Sequence, residues 1–332
     1  MNSNISFPAL LQAFFTDRLM RQRQASAETI ASYRDAFRLL FMFAEERLGK
    51  TPSALEIEDL DAPFIVAMLC WLEEQRGNCA RTRNARLAAL HSFFKYAALH
   101  DPAHSAVFQR VLAIPGKRFD RAPVEYLTRP ETEALVAAPD LTTRAGRRDR
   151  TMLLVTAQVG LRVSELVGLD CVDIILEGGP HVRCTGKGRK DRCTPLRKES
   201  VAALRGWLEE RNGRPAEPLF PNARGKRLSR DGVEYLVRKH AAAAAEECPS
   251  LRRKRITPHV LRHTAAMDLL QHGVDRSVIA LWLGHETLET VNIYVHADLK
   301  MKEQALARTA PLDVPSGRYR PDDQLLRFLK GL

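Results

Sequence analysis

The chain has 332 residues, with 51 Lys+Arg against 40 Asp+Glu and a formal net charge of +11. Hydrophobic residues at 45% and charged residues at 27% make a globular composition, which excludes wholesale disorder. No apolar stretch reaches the roughly 18–20 residues of a membrane span, and the opening MNSNISFPALLQAFF lacks the basic and apolar regions of a secretory signal. A cytoplasmic protein with no membrane partner is therefore expected. The basic balance points to a polyanion as partner. It is unevenly placed: residues 1–115 hold 13 Lys+Arg and 12 Asp+Glu, so nearly all of the excess lies beyond residue 115. The six cysteines form no Cys-x-x-Cys pair and no zinc-finger spacing, so they read as reduced thiols and no metal site is expected. Only Cys184 and Cys193 are placed to face each other across a hairpin.

In chain order, residues 26–48 carry Ile30, Tyr33, Phe37, Leu40 and Phe41 at helical spacing, with Ser26 as N-cap, Glu28 in the first turn and Gly49 as stop. A second helix is expected at about 61–76 and a third at 80–99. The third puts Leu87, Leu90, Phe93, Phe94 and Ala97 on an apolar stripe and Arg81, Arg83 and Arg86 on the polar side. Residues 112–126 contain Pro and Gly, lose periodicity and read as an interdomain linker. Helix resumes around Pro130, with Thr128 or Arg129 at the cap. Residues 146–168 read as a helix, a break at Gly160, and a short helix. Three short strands follow within 171–196, the last two joined by the turn Gly186-Lys187-Gly188-Arg189-Lys190. Further helices are expected at 198–211, 229–247, 258–271, 275–283, 287–295 and 297–307. A tail runs from 311 to 332, ending in a short amphipathic helix. The domain plan is thus 1–112 helical, 113–126 linker, 127–310 a larger domain, and 311–332 tail. The fold class is mainly α, with a small antiparallel sheet in the second domain.

Taken singly, the chemistry-bearing residues have ordinary explanations. With 10 His and 39 Arg, about one His-x-x-Arg arises by chance, so His259-Val260-Leu261-Arg262 alone says little. Its context says more: Thr257-Pro258 caps a helix, which puts His259 and Arg262 on one face of a helix N-terminus, where an anion is favoured. Arg162 follows a Gly-Leu break, Lys187 and Lys190 sit on a basic hairpin tip, His285 follows a helix-stopping Gly284, and Tyr294 lies in an apolar helix pattern. Together they are what phosphoryl transfer to a tyrosine needs. Two guanidinium forks neutralise charge that develops on non-bridging phosphate oxygens. A lysine protonates the leaving 5′ oxygen, and a histidine helps a phenol of pKa near ~10 act as nucleophile. Arginines that neutralise the charge make a metal or other cofactor unnecessary. The hairpin pattern alone leaves Lys187 and Lys190 unresolved as the acid.

The ordered set Gly160-Leu161-Arg162-Val163-Ser164-Glu165-Leu166, Gly186-Lys187-Gly188, His259-Val260-Leu261-Arg262-His263, Leu283-Gly284-His285 and Tyr294 resembles the tyrosine recombinases of the phage-integrase and Xer type. The resemblance covers residues 127–307, and the N-terminal 115 residues are similar to that family's helical, SAM-like core-binding domain. It implies that Arg162 and Arg262 grip the scissile phosphate, Lys187 rather than Lys190 protonates the 5′ oxygen, and His259 is the general acid/base. It further implies that His285 hydrogen-bonds the phosphate, Tyr294 forms a 3′-phosphotyrosyl link, and Glu165 supports the site by orienting Arg162 or a histidine. The implied partner is double-stranded DNA with specific sites, clamped between two domains, with Arg81, Arg83, Arg86 and Lys190 as contacts. Four protomers on two sites are implied, with the segment at about 297–307 docking on a neighbour and the Leu325/Leu326/Phe328/Leu329 stripe of the tail also packing on a partner subunit. Sister recombinases or accessory proteins fit the same pattern, as does a nucleoid-associated location. The Arg-rich composition (39 Arg to 12 Lys) and the tail lean towards a mobile-element integrase or transposase. Chromosome dimer resolution of the Xer type, a type IB topoisomerase-like relaxase and a non-catalytic DNA-binding protein are the alternatives.

Overall fold

The structure, a computed structural model, describes residues 6–120, 124–186 and 191–284. The backbone divides after Ala122 into two compact units. Among the described residues no helix is long and apolar enough to cross a membrane.

The first unit is helical. It comprises α1 (Phe7–Ala13), which continues as a π-wound segment over Phe14–Gln22, then α2 (Ala27–Leu48), α3 (Ala62–Glu74), α4 (Ala80–His100) and α5 (Ser105–Leu112). The α2 ends follow the sequence reading. Ser26 Oγ accepts the Thr29 N–H at 3.3 Å, and Gly49 takes the left-handed conformation at φ +66° that stops the helix. Asp61 caps α3 by accepting the Phe64 N–H at 2.9 Å. The apolar stripe of α4 is buried throughout: Leu87, Leu90, Phe93, Phe94 and Ala97 all lie in the core. Phe93 is the hub, with the rings of Phe7, Phe14, Phe37 and Phe94 around it at centroid distances of 5.3–5.7 Å. All four pairs are edge-to-face, the arrangement the ring quadrupole favours. Full burial of each such side chain stabilises by about 1.5–3 kcal/mol.

The second unit opens with α6 (Arg129–Ala137), whose first turn holds Pro130. Glu131 accepts the Thr128 N–H at 2.8 Å and the Lys254 Nζ at 2.6 Å, tying this start to the chain just before α11. Then come α7 (Arg144–Val159), α8 (Val163–Gly168), and the strands β1 (Ile174–Ile175), β2 (His181–Thr185) and β3 (Asp191–Pro195). Next are α9 (Lys198–Arg211), α10 (Arg230–Glu247), α11 (Pro258–Gln271) and α12 (Arg276–Leu283). The strands form one antiparallel sheet in the order β1-β2-β3. A buried cluster runs from α7 through the sheet to α10 and α11, and a smaller one (Ala266, Met267, Leu270, Ile279, Ala280, Leu283) pins α12 to α11. The expected helices at 287–295 and 297–307 and the tail 311–332 lie outside the described residues.

The cysteine expectation needs correcting. The β2–β3 register pairs Arg183 with Cys193 and Cys184 with Arg192, so the two thiols sit on opposite faces of the hairpin. Cys184 is buried and Cys193 exposed, and burial pushes the Cys184 thiol up to about 11. A register shift of one residue turns every side chain over, and only the strand pairing decides it.

Candidate active site

The site is assembled from three breaks in helical structure. At the end of α7, Gly160 adopts φ +70°. There a Cβ would come within 2.6 Å of Leu283 Cδ2 and 3.1 Å of Ala265 Cβ, so the position demands glycine on two counts. The chain then turns through the buried Leu161 into Arg162, the N-cap of α8. Three residues on, Glu165 reaches back: its Oε2 accepts the Arg162 backbone N–H at 2.8 Å and its Oε1 accepts the Arg162 Nη1 at 2.7 Å. The remaining terminal nitrogen, Nη2, donates to the carbonyl of Gly284 at 2.8 Å.

The second break is the start of α11. Thr257 Oγ1 accepts the Val260 N–H at 3.3 Å and Pro258 occupies the first turn. His259 is exposed there. Arg262, one turn on, is only 4% exposed, which aims its guanidinium along a fixed line. Its Nη1 donates to the Gly160 carbonyl at 2.6 Å and its Nη2 to the Leu283 carbonyl at 2.7 Å. The third break is the end of α12, where Gly284 takes φ +63°. The two helix-ending glycine turns thus present the carbonyls that orient both arginines. Both terminal nitrogens of each guanidinium thus donate to the protein, which fixes the plane of each fork.

Of the sequence-predicted residues, Arg162, Glu165, His259 and Arg262 lie on these adjoining turns of the second unit. Glu165 bonds Arg162 rather than a histidine among the described residues. Lys187, Lys190, His285 and Tyr294 lie outside the described residues. In the first unit Arg81 is exposed, whereas Arg83 donates to the Pro115 carbonyl at 3.4 Å and Arg86 to the Ser32 carbonyl at 3.1 Å. The last two therefore brace α4 within its own unit, and Arg86 ties it to α2. No group of three His, Cys, Asp or Glu among the described residues is arranged to hold a metal ion.

Two residues near the arginines were given no role from the sequence, although His263 stands within the His259–His263 motif. Arg192 of β3 donates from Nη1 to Glu165 Oε1 at 2.8 Å and from Nη2 to Glu165 Oε2 at 2.9 Å. The signal for it is strand alternation, since Arg192 and the buried Thr194 share the inner face of β3. Burial alone would raise the Glu165 carboxyl; the hydrogen bonds and charge of Arg192, joined by Arg162, outweigh it and hold Glu165 below the usual carboxylate range. The other is His263, whose ring lies 6.3 Å from that of His259. Burial, reinforced by the charges of His259 and Arg262, lowers His263 to about 4, so its imidazole is neutral at pH 7.

Comparison with known proteins shows the family. The phage integrase family profile matches residues 125–301, and that of the phage integrase N-terminal SAM-like domain matches residues 13–100. The chain is 57% identical over its full length, and the full length of the relative, to the integrase/recombinase y4rC of Sinorhizobium fredii. It is 34% identical to the tyrosine recombinase XerD of Pseudomonas aeruginosa, over 90% of this chain and 96% of that one. Its fold is shared with the XerH site-specific recombinase solved in a post-cleavage complex with its difH substrate, at a TM-score of 0.69 and 24% identity, covering 86% of this chain and 81% of that one. With the family profile spanning residues 125–301 and a relative 57% identical over the full length of both chains, this protein belongs to the phage integrase family, the tyrosine recombinases.

Proposed function

We propose that this protein is a site-specific DNA recombinase that cuts and rejoins one strand at a time through a covalent 3′-phosphotyrosyl link. The observation that carries the reading is the convergence of Arg162 and Arg262 on the Gly160 and Leu283–Gly284 turns, with the exposed His259 at the start of the helix that carries Arg262. In the proposed step the Tyr294 phenol oxygen attacks the scissile phosphorus and gives up its proton, with His259 as general acid/base. The bond to the 5′ oxygen breaks, and Lys187 supplies the proton to that oxygen. Arg162, Arg262 and His285 neutralise the charge on the non-bridging oxygens, and Glu165 fixes Arg162. Ligation is the same exchange run backwards by a second 5′ hydroxyl. The phosphodiester bond energy stays in the protein–DNA link, so no external energy source is required.

The expected partner is double-stranded DNA carrying a specific site, with phosphate contacts that make affinity salt-dependent. Arg81, exposed on α4, is the better placed of the three α4 arginines to reach it, since Arg83 and Arg86 already hold carbonyls. Assembly as a tetramer on two sites, with sister recombinases or accessory proteins, belongs to the same reading. The biological role leans towards a mobile-element integrase, on the Arg-rich composition and the similarity to an integrase/recombinase. The XerD similarity supports the second reading, resolution of chromosome dimers. A duplex carrying a mapped binding site and a nick beside the cleavage point tests the chemistry. Wild type is expected to trap as a covalent adduct, and Tyr294→Phe to give none. An adduct that survives Tyr294→Phe overturns the nucleophile assignment, and no adduct with wild type overturns the enzyme reading.

A further inference from the structure

We propose that Arg192 is a positioning residue for strand cleavage: it holds Glu165 with both terminal nitrogens and so leaves Arg162 available to the scissile phosphate. The inference rests on the reading of Arg162 as a phosphate-gripping arginine.

Strand geometry puts Arg192 in place. It pairs with Cys184, and Val182 pairs with Thr194, on the face of the hairpin turned to the core. Its fork meets both Glu165 oxygens, at 2.8 and 2.9 Å, the bidentate geometry that makes an Arg–carboxylate pair strong. Arg162 meets the same carboxylate through one terminal nitrogen and its backbone N–H. The Arg192 side chain is 10% exposed and that of Arg162 is 26% exposed, so Arg192 is the committed partner and Arg162 the one that faces outward.

Charge gives the reason. Arg162 and Glu165 alone form a neutral pair, which has little attraction for an anionic phosphodiester. Arg192 raises the trio to a net single positive charge. The Glu165 side chain is 3% exposed, and in that setting charge is weakly screened. Without Arg192, a buried carboxylate with one cation left would draw Arg162 into the bidentate pairing and away from the phosphate. The Gly284 turn is shaped for the same arrangement. Its carbonyl accepts from Arg162 Nη2 at 2.8 Å, while a Cβ at Gly284 would approach Arg192 Nη1 to 2.9 Å and Cδ to 3.2 Å.

The test is single-turnover formation of the covalent adduct by the full chain on the nicked duplex, with DNA affinity measured separately. Arg192→Gln is expected to slow adduct formation about 100-fold, the low end for losing one preorganised donor, while DNA affinity moves little. Arg192→Lys, which keeps the charge without the fork, is expected to fall between wild type and Arg192→Gln. The decisive comparison is in the Glu165→Gln background, where no carboxylate remains to capture Arg162. There the double variant Glu165→Gln/Arg192→Gln is expected to cleave at the rate of Glu165→Gln and faster than Arg192→Gln alone. A residue that merely braces the hairpin would cost as much in that background as in wild type, and that result overturns the proposal. If Arg192→Gln does not fold, the double variant compared with Glu165→Gln still discriminates the two roles, since neither protein leaves a buried carboxylate uncompensated. Loss of the adduct by wild type itself would instead condemn the recombinase reading.

Discussion

Replacement of Gly160 by Ala tests whether the α7–α8 turn sets both the stability and the geometry of the site. Two costs are expected. The first is conformational: Gly160 sits at φ +70°, and a left-handed residue with a Cβ costs about 1–2 kcal/mol. The second is steric: the new methyl would lie 2.6 Å from Leu283 Cδ2 and 3.1 Å from Ala265 Cβ, and overpacking of this kind costs about 1–3 kcal/mol. The sum is about 2–5 kcal/mol. Gly178 supplies the control. Its φ is +66°, yet a Cβ there meets nothing within 4 Å, so Gly178→Ala carries the first cost without the second. Urea unfolding of the two variants, followed by tryptophan fluorescence from Trp207 and Trp282 in the second unit, should separate them by the steric part. The activity readout goes further. The Gly160 carbonyl holds Arg262 Nη1 at 2.6 Å, so relief of the clash displaces the arginine, and adduct formation should fall in Gly160→Ala but not in Gly178→Ala. Equal unfolding midpoints for the two variants, or a Gly160→Ala protein that cleaves at the wild-type rate, would refute the reasoning.

Two other outcomes are expected. Asp149 is buried on α7 and accepts from Arg148 at 2.6 and 2.8 Å, with the His240 ring nitrogen of α10 at 2.9 Å, so Asp149→Ala strands the buried His240 and the half-buried Arg148 and should destabilise by about 3–5 kcal/mol in urea unfolding, with Asp149→Asn losing less. His263 is lowered to about 4 from an ordinary value of 6.5, so the unfolded chain binds the proton more readily; its contribution is complete above 6.5 and is lost as pH falls from there towards 4. An NMR titration should show a neutral His263 ring at pH 6, and a His263→Gln variant should lose that part of the acid dependence of unfolding; a ring already protonated at pH 6 would contradict a pKa lowered by burial.

The helices that bury one face were legible in advance because a helix writes its core contacts every three or four residues. That is why the stripe of α4, the Ser26 and Gly49 ends of α2 and the Gly160 break all correspond to features of the chain. The segment 7–22 was not legible in the same way. Its second part, Phe14–Gln22, is wound as a π-helix, and its Phe14 and Leu19 are buried at a spacing of five. The arginines of α4 read as one polar face, but two of them close hydrogen bonds to carbonyls 32 and 54 residues away in sequence.

By itself the sequence determined the family, the order of the helices and the three-stranded sheet, and it named Arg162, Glu165, His259 and Arg262 as candidates, because periodicity, turn residues and an ordered series of short local motifs carry those features. Only the tertiary structure decided that Glu165 answers to Arg192, that Cys184 and Cys193 face apart, and that the Gly160, Leu283 and Gly284 carbonyls aim the two arginines. Those facts depend on strand register and on contacts spanning up to 122 residues. The energies that fix them come from burial and from pairing of charges, and neither exists until the chain has closed.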